Sequence, residues 1–446
     1  MKVVYLIGNG SVITRDSDHP YYENGGVVIC EDQIVEVGTY ETLRQKYSQA
    51  TVIDAENKVI MPGMINTHAH IYSAFARGMK VAGKAPEQFL EILEKLWWKM
   101  DARLSLEDVY ESACLTLIES IKNGVTTVID HHASYGEILG SLSQIAKAAK
   151  TLGVRSCLSY EISDRHGKQK MREAIEENMT FIEETLQSPS TELKGLIGLH
   201  APFTLSEETL ASIQKANRFK SGYHVHIAEG LYDETFNEET YGKSAVRRLY
   251  EHEMLGEQTL AVHCIHIDEA DYKLLKETNT TVIHNPSSNM NNAVGWLDIL
   301  KIMDEGILVG LGTDGYTQDM LESLKVAHIL QKHGHQNAAR GFDEACMCLF
   351  ENNAQIATRL FGKEIGKLKK GAKADLILVN YQPFTPMNAE NINAHVMFGM
   401  QGAMTEDVMI NGKWVMKNRK LISIDEEAVR KSCEKQAQSF WKRFMA

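Results

Sequence analysis

Proline is scarce and cysteine is scattered in this chain of 446 residues, which carries 8 Pro and 7 Cys. The cysteine number is odd, and only Cys346 and Cys348 lie close together, in a spacing that on a helix points two ways. That argues against a disulfide framework and for reduced core thiols in a reducing compartment. No run of about 20 apolar residues occurs, so no membrane span is expected. The N-terminal MKVVYLIGNGSVI is too short and too interrupted by Gly and Asn for a secretory signal, and a cytoplasmic location follows by default. Basic charge is in deficit: 47 Lys and Arg against 59 Asp and Glu give a net charge of −12, with no long block of one sign. A phosphate-backbone partner needs a basic patch, so nucleic acid is excluded as a partner. No glycine-rich phosphate cradle, no internal repeat and no low-complexity tract is present, and no nucleotide cofactor is expected.

What remains is an ordinary globular composition, 43% hydrophobic and 24% charged, long enough for one large domain and a smaller one. The first 60 residues read as short strands, VVYLIGN, SVITRD, GGVVICED, QIVEVG and KVIMPG, with one helical stretch at 40–47. After Pro62 short apolar runs alternate with amphipathic helices. The strand candidates are GMINTH (63–68), TTVIDH (126–131), VRSCLSY (154–160), GLIGLH (195–200), GYHVHIA (222–228), TLAVHC (259–264), TTVIHN (280–285) and GILVGLGTD (306–314). Helical patterns between them include 106–123, 138–152, 168–186, 207–217 and 270–277. Eight strands each followed by a helix predict an α/β fold, a (β/α)8 barrel of the TIM type at 61–370. From about Gly371 strands return (KADLILVNY, VMINGKWVM, KLISI), with a hairpin signal at Asn411-Gly412, and a last helix covers 426–444. Neither end alone has enough core to fold. Segments 1–60 and 371–446 are therefore expected to pair as one small β-sandwich, the second carrying the terminal helix.

Several of these apolar strands end in His, Asp or Glu, at the face where such barrels build active sites. His68 ends GMINTH and His70 lies two residues on, a chelating spacing for a divalent cation. His226 ends the fifth strand and Glu229 lies one loop turn beyond, with His224 also pointing inward. His263 ends the sixth, and Asp314 follows five apolar residues of the eighth, where a carboxylate is costly to bury unless paired or metal-bound. Each alone has a bland alternative, a core histidine or a helix cap; four clusters at four strand ends point to a metal. Three neutral imidazoles and a carboxylate suit one divalent ion, Zn2+ first, Fe2+ or Mn2+ otherwise. Such a site activates a bound water. Asp314 would ligate and accept a proton, His263 would orient the nucleophile, and Glu229 would carry protons to the leaving group.

The segments PGMINTHAH, HVHIAE, AVHC and LGTDG resemble the amidohydrolase superfamily, and within it the aminohydrolase branch of nucleobase and triazine deaminases and chlorohydrolases. The likeness covers nearly the whole chain, including GAKADLILVN. It implies metal ligation by His68, His70, His226 and Asp314, an acid/base role for Glu229 and an orienting role for His263. Binuclear members bridge two ions through Lys or Glu at the end of the fourth strand. This chain has His200 there and Lys194 at the strand's beginning, which favours one ion and makes His200 a substrate contact. His131 and His132, at the end of the second strand, are read as substrate contacts, with a second metal as the alternative. Trp97 is expected to stack on a flat ligand while Trp98 packs, Arg165 to meet an anionic substituent of the substrate or solvent, and Ser288, Asn289 and Asn292 to offer polar contacts.

The expectation is a metal-dependent hydrolase that deaminates a small nitrogen heterocycle of purine, pyrimidine, pterin or triazine type. Hydrolysis of a cyclic amide or a halogenated ring on the same scaffold, and a non-catalytic member of the fold, are the alternatives. Oligomeric state is left open, a homodimer included.

Overall fold

The apolar runs close into a barrel, and the closure itself is made by candidate site residues. The computed structural model describes residues 3–81, 83–188 and 192–446. Its barrel strands are Met64–Ala69, Val125–His132, Arg155–Ile162, Ile197–Leu199, Tyr223–Ile227, Leu260–His263, Thr281–His284 and Val309–Leu311, each paired in parallel with the next. Every residue in all eight is buried, which is why they read as apolar runs rather than alternations. The fourth strand is preceded by a separate short piece, Leu193–Gly195, that pairs with the third. The ring closes where Ala69 bridges Asp314 and the backbone N–H groups of Thr313 and Asp314 donate to the His68 carbonyl at 3.0 and 2.9 Å. Gly312 permits this approach: a Cβ there would lie 2.9 Å from His68 Cβ and 2.5 Å from Asn285 Oδ1.

The five predicted helices appear as Leu106–Lys122, Ser141–Leu152, Gly167–Gln187, Glu207–Ala216 and Glu269–Glu277. The first is fixed by a reciprocal cap between Ser105 and Asp108, which satisfies two otherwise free N–H groups.

The two chain ends share one continuous nine-stranded sheet. Val59–Pro62 runs antiparallel to Leu376–Val379, with Met61 opposite Ile377. VVYLIGN and SVITRD, expected as two strands, are one, Val4–Ile13, whose register shifts on either side of Gly10. A side chain at Gly10 would meet the Lys58 carbonyl at 2.2 Å, so the glycine marks a bulge rather than a turn. Asn411 and Gly412 turn tightly between Thr405–Ile410 and Lys413–Lys417, with φ of 52° and 73°.

Arg155, at the start of the third barrel strand, is fully buried and paired with the equally buried Asp375 of the sheet. Asp375 also accepts from the Asn411 backbone at 2.7 Å. The final helix, Glu426–Met445, lies against Leu106–Lys122 and the segment after the first strand, where Trp441 Nε1 donates to the Phe75 carbonyl at 2.7 Å. All seven cysteines are unpaired. Among the described residues, no helix is long and apolar enough to cross a membrane.

Candidate active site

The barrel topology brings the C-terminal strand ends to one mouth. His68 comes from the first strand, His70 from the residue after it, His226 from the fifth, His263 from the sixth and Asp314 from just beyond the eighth. The backbone turns sharply there. Ala228, His263 and Asp314 adopt positive φ of 46°, 72° and 57°, a left-handed conformation that costs a non-glycine residue about 1–3 kcal/mol and is typically retained at functional sites. Asp314 Oδ1 lies 3.1 Å from His70 Nε2 and 3.6 Å from His68 Nε2. Ligand atoms of His68, His70 and His226 all fall within 4.8 Å of one another, as do those of His68, His263 and Asp314.

The hydrogen bonds of the outer nitrogens determine what the inner ones offer. His70 Nδ1 is 2.6 Å from the His131 carbonyl and His226 Nδ1 is 2.8 Å from the His200 carbonyl. A carbonyl can only accept, so both rings carry their proton on Nδ1 and aim an Nε2 lone pair inward. His68 Nδ1 meets His224 Nε2 at 2.8 Å, and His224 Nδ1 meets Ser159 Oγ at 3.3 Å. His224 thus steadies a neighbouring ring from within the barrel. His68 Nε2 is buried with no hydrogen-bond partner. Burial pushes the imidazoles of His68 and His226 down, keeping them neutral. Burial would raise the Asp314 carboxyl, but its close approach to His68 and His70 prevails and holds it well below its usual range. Converging lone pairs and an ionised carboxylate fit a divalent cation, and His68, His70, His226 and Asp314 could hold it.

A second grouping, His131, Glu161 and His226, also has its ligand atoms within 4.8 Å. His226 has only one nitrogen free of the backbone, however, and that nitrogen already faces His70. The grouping is therefore not an independent site.

Glu229 Oε2 sits 3.3 Å from His263 Nε2, and Asn292 Nδ2 donates to its Oε1 at 3.4 Å. Burial, then the nearby Asp314 charge, raises the Glu229 carboxyl well above its ordinary value, so it is held as a proton donor. The cleft above these groups is walled by Trp97, Trp98, Phe203, Tyr232 and Tyr316, with His200 and Glu161 in its side. His200 Nδ1 is taken by Thr204 Oγ1 at 2.9 Å, and burial lowers its pKa to about 4, so a neutral ring faces the cleft.

Of the expected substrate contacts, Trp97 and His200 line the cleft; His131, His132 and Asn289 do not. His131 is fully buried beneath it, Nε2 on the Leu199 carbonyl at 3.0 Å. His132 is fully buried beside Ser134, its ring edge-on to Tyr72. Asn289 is spent on His263. The second strand runs on through His132, one residue past its expected end at His131, and both rings lie buried below the mouth. Trp98, expected to pack, lines the cleft as well, because the helix is widened into a π-turn over Leu93–Trp97. Arg165 is not solvated: it is buried and held by the carboxylates of Asp101 and Glu161. Asp101 and Glu161 were not anticipated; as single carboxylates in LWWKMD and SCLSYEI, nothing local distinguishes them from surface acids.

Residues 59–415 match the model of the amidohydrolase family, and the chain belongs to that family. A 5′-deoxyadenosine deaminase of Methanosarcina mazei is 31% identical over 439 residues, spanning 97% of each chain. A 5-methylthioadenosine/S-adenosylhomocysteine deaminase of Pelotomaculum thermopropionicum is 32% identical over 440 residues, spanning 97% of this chain and 98% of that one. Among solved structures, a zinc-bound adenosine deaminase from Xanthomonas campestris superposes with a TM-score of 0.86 at 21% identity, over 99% of this chain and 98% of that one. Guanine deaminase of E. coli follows the same fold, with a TM-score of 0.78 at 20% identity over 93% of this chain and 99% of that one. The chain is thus a metal-dependent hydrolase of the aminohydrolase branch, acting on carbon–nitrogen bonds other than peptide bonds.

Proposed function

We propose that this amidohydrolase removes the exocyclic amino group of a purine-nucleoside-like heterocycle, releasing ammonia. The observation that carries the reading is the placement of a buried, proton-bearing Glu229 against His263 at the rim of the ligand cluster, opening into an aromatic-walled cleft. The names of the relatives support the substrate class. LWWKMD, VIDHHAS, HAPFT and SNMNN also resemble the SsnA aminohydrolases, a likeness that supports the aminohydrolase chemistry but names no substrate. One ion held by His68, His70, His226 and Asp314, Zn2+ by the donor set, would supply a Lewis acid and a water that is nucleophilic at neutral pH.

The chain's own residues move the protons. The flat ring lies between the aromatic walls, with His200 and Glu161 beside it. Asp314 accepts the proton that water gives up as its oxygen bonds to the ring carbon. Glu229 gives its proton to the adjacent ring nitrogen, so that an amidine carbon becomes tetrahedral without building negative charge. His263 Nε2–H steadies the entering oxygen. Ionised Glu229 then shifts the hydroxyl proton onto the amino group, which leaves as ammonia, and is reprotonated from Asp314. One water is consumed, one carbon–nitrogen bond breaks and a ring carbonyl forms.

The test is ammonia release from the metal-loaded protein, assayed with 5′-deoxyadenosine, 5′-methylthioadenosine, guanine, pterins and aminotriazines. The reading expects turnover with the adenine nucleosides. Hydrolysis of cyclic amides or halogenated rings without ammonia from any amino heterocycle would reject it.

A further inference from the structure

We propose that Asn289 is a positioning residue that fixes His263 in its Nε2–H tautomer, making this histidine a donor to the reacting groups instead of a further metal ligand. The inference deepens the deaminase reading above and rests on it for its activity arm only.

The argument starts from a contrast among histidines at one barrel mouth. His70 and His226 each meet a backbone carbonyl with Nδ1, which places the proton there and leaves Nε2 a bare lone pair. His263 Nδ1 meets Asn289 Nδ2 at 2.7 Å. An amide NH2 can only donate, so His263 Nδ1 must be the acceptor and the ring's single proton must sit on Nε2. That Nε2 is buried without a hydrogen-bond acceptor of its own, 3.3 Å from Glu229 Oε2 and 3.7 Å from Asp314 Oδ2. Its N–H therefore points at the space between the proposed proton carrier and the proposed ligand carboxylate. A protonated nitrogen cannot ligate, so the Asn289 contact separates His263 from the ligand set although its atoms lie as close to His68 and Asp314 as a ligand's would. With Nδ1 accepting, the ring carries a single proton, so the proton on Nε2 is the tautomer's and not that of an imidazolium.

The backbone that carries Asn289 is held in place. Asn289 is fully buried in the short helix Pro286–Asn291, which follows the seventh strand and packs against the helix Met320–His335. Its neighbours on that segment serve the other two groups: Ser288 Oγ donates to Asp314 Oδ2 at 2.7 Å, and Asn292 Nδ2 to Glu229 Oε1 at 3.4 Å. Three side chains of SSNMNN thus each orient one member of the proton-handling trio.

Ring nitrogen chemical shifts report the tautomer directly. With 15N-histidine-labelled, zinc-loaded protein, the His263 signals, assigned by their loss in His263→Gln, are expected to show a protonated Nε2 and a bare Nδ1. Asn289→Asp replaces the donor by an acceptor and should move the proton to Nδ1. It should lower kcat by about 10²–10⁴-fold with KM little changed, as loss of one correctly protonated group typically does. If the wild-type spectrum shows a bare Nε2, the proposal is overturned, whether or not any variant folds or any substrate turns over. A wild-type-like kcat in a folded Asn289→Asp whose tautomer has inverted overturns it too.

Discussion

The Nε2 atoms of His70 and His226 face each other across 3.2 Å, although neither can donate to the other. Each ring has committed its proton to a carbonyl on the far side, so two lone pairs meet in a dry site, with the Asp314 carboxylate 3.1 Å from one of them. Such an arrangement is repulsive by itself and becomes favourable around a cation. We therefore expect elemental analysis of protein prepared without chelators to give about one divalent metal per chain. His226→Ala should lower that content. Two firmly held ions per chain would contradict the shared use of His226 described above.

Glu229→Gln should preserve the fold and the metal while kcat falls about 10²–10⁴-fold, because the side chain moves protons and does not ligate. The amide can still accept from Asn292 but has no proton to give to a ring nitrogen. Near-normal turnover in this variant would remove Glu229 from the mechanism.

Asp375→Asn tests the junction of barrel and sheet. The carboxylate neutralises Arg155, and both groups are fully buried. Asn removes the buried negative charge that faces Arg155, at a cost of up to about 3–5 kcal/mol. The pair sits at the N-terminal end of its barrel strand, away from the mouth, so the fraction that remains folded should keep its kcat. Denaturant melts and kinetics on one preparation read both quantities. An unchanged melt would show that the pair does not join the two parts.

Glu234 gives a pH dependence. Burial raises its carboxyl from the ordinary 4.5 to about 8, with Asp271 and Asp233 adding to the shift. The native state thus favours the protonated acid. As pH rises from the unfolded value through the folded one, the unfolded chain releases this proton first, and stability is lost across that window. Glutamine keeps an oxygen for the Ala245 N–H, now 3.2 Å from Oε2, and cannot ionise. Glu234→Gln should match the wild type in Tm near pH 4 and exceed it by a margin that widens to pH 8. A constant difference across that range would assign the effect to packing.

Much of this was legible in the residues because barrel strands buried on both faces leave no innocent place for polar side chains. His68, His70, His226, His263 and Asp314 stood out against apolar runs, and the structure gathers all five at one mouth. What failed did so for identifiable reasons. Pattern alone ends the second strand one residue early and does not show which way its last side chains face, so His131 and His132 were expected in the cleft when the strand in fact carries them beneath it. The π-turn that turns both Trp97 and Trp98 to the cleft adds a residue to a helical turn, which a 3.6-residue period does not register. The Arg165 contacts to Asp101 and Glu161 join residues far apart or on opposite sides of a strand end, and no local pattern reveals such a pairing.

Oxygen tracing tests the central claim most directly. The metal-loaded protein is incubated with an adenine nucleoside in water enriched in 18O, and ammonia and product mass are measured together. Hydrolytic deamination predicts one ammonia and one 18O atom in the ring carbonyl per turnover, both lost in Glu229→Gln. Product formed without ammonia, or ammonia released without 18O entering the ring, would contradict it.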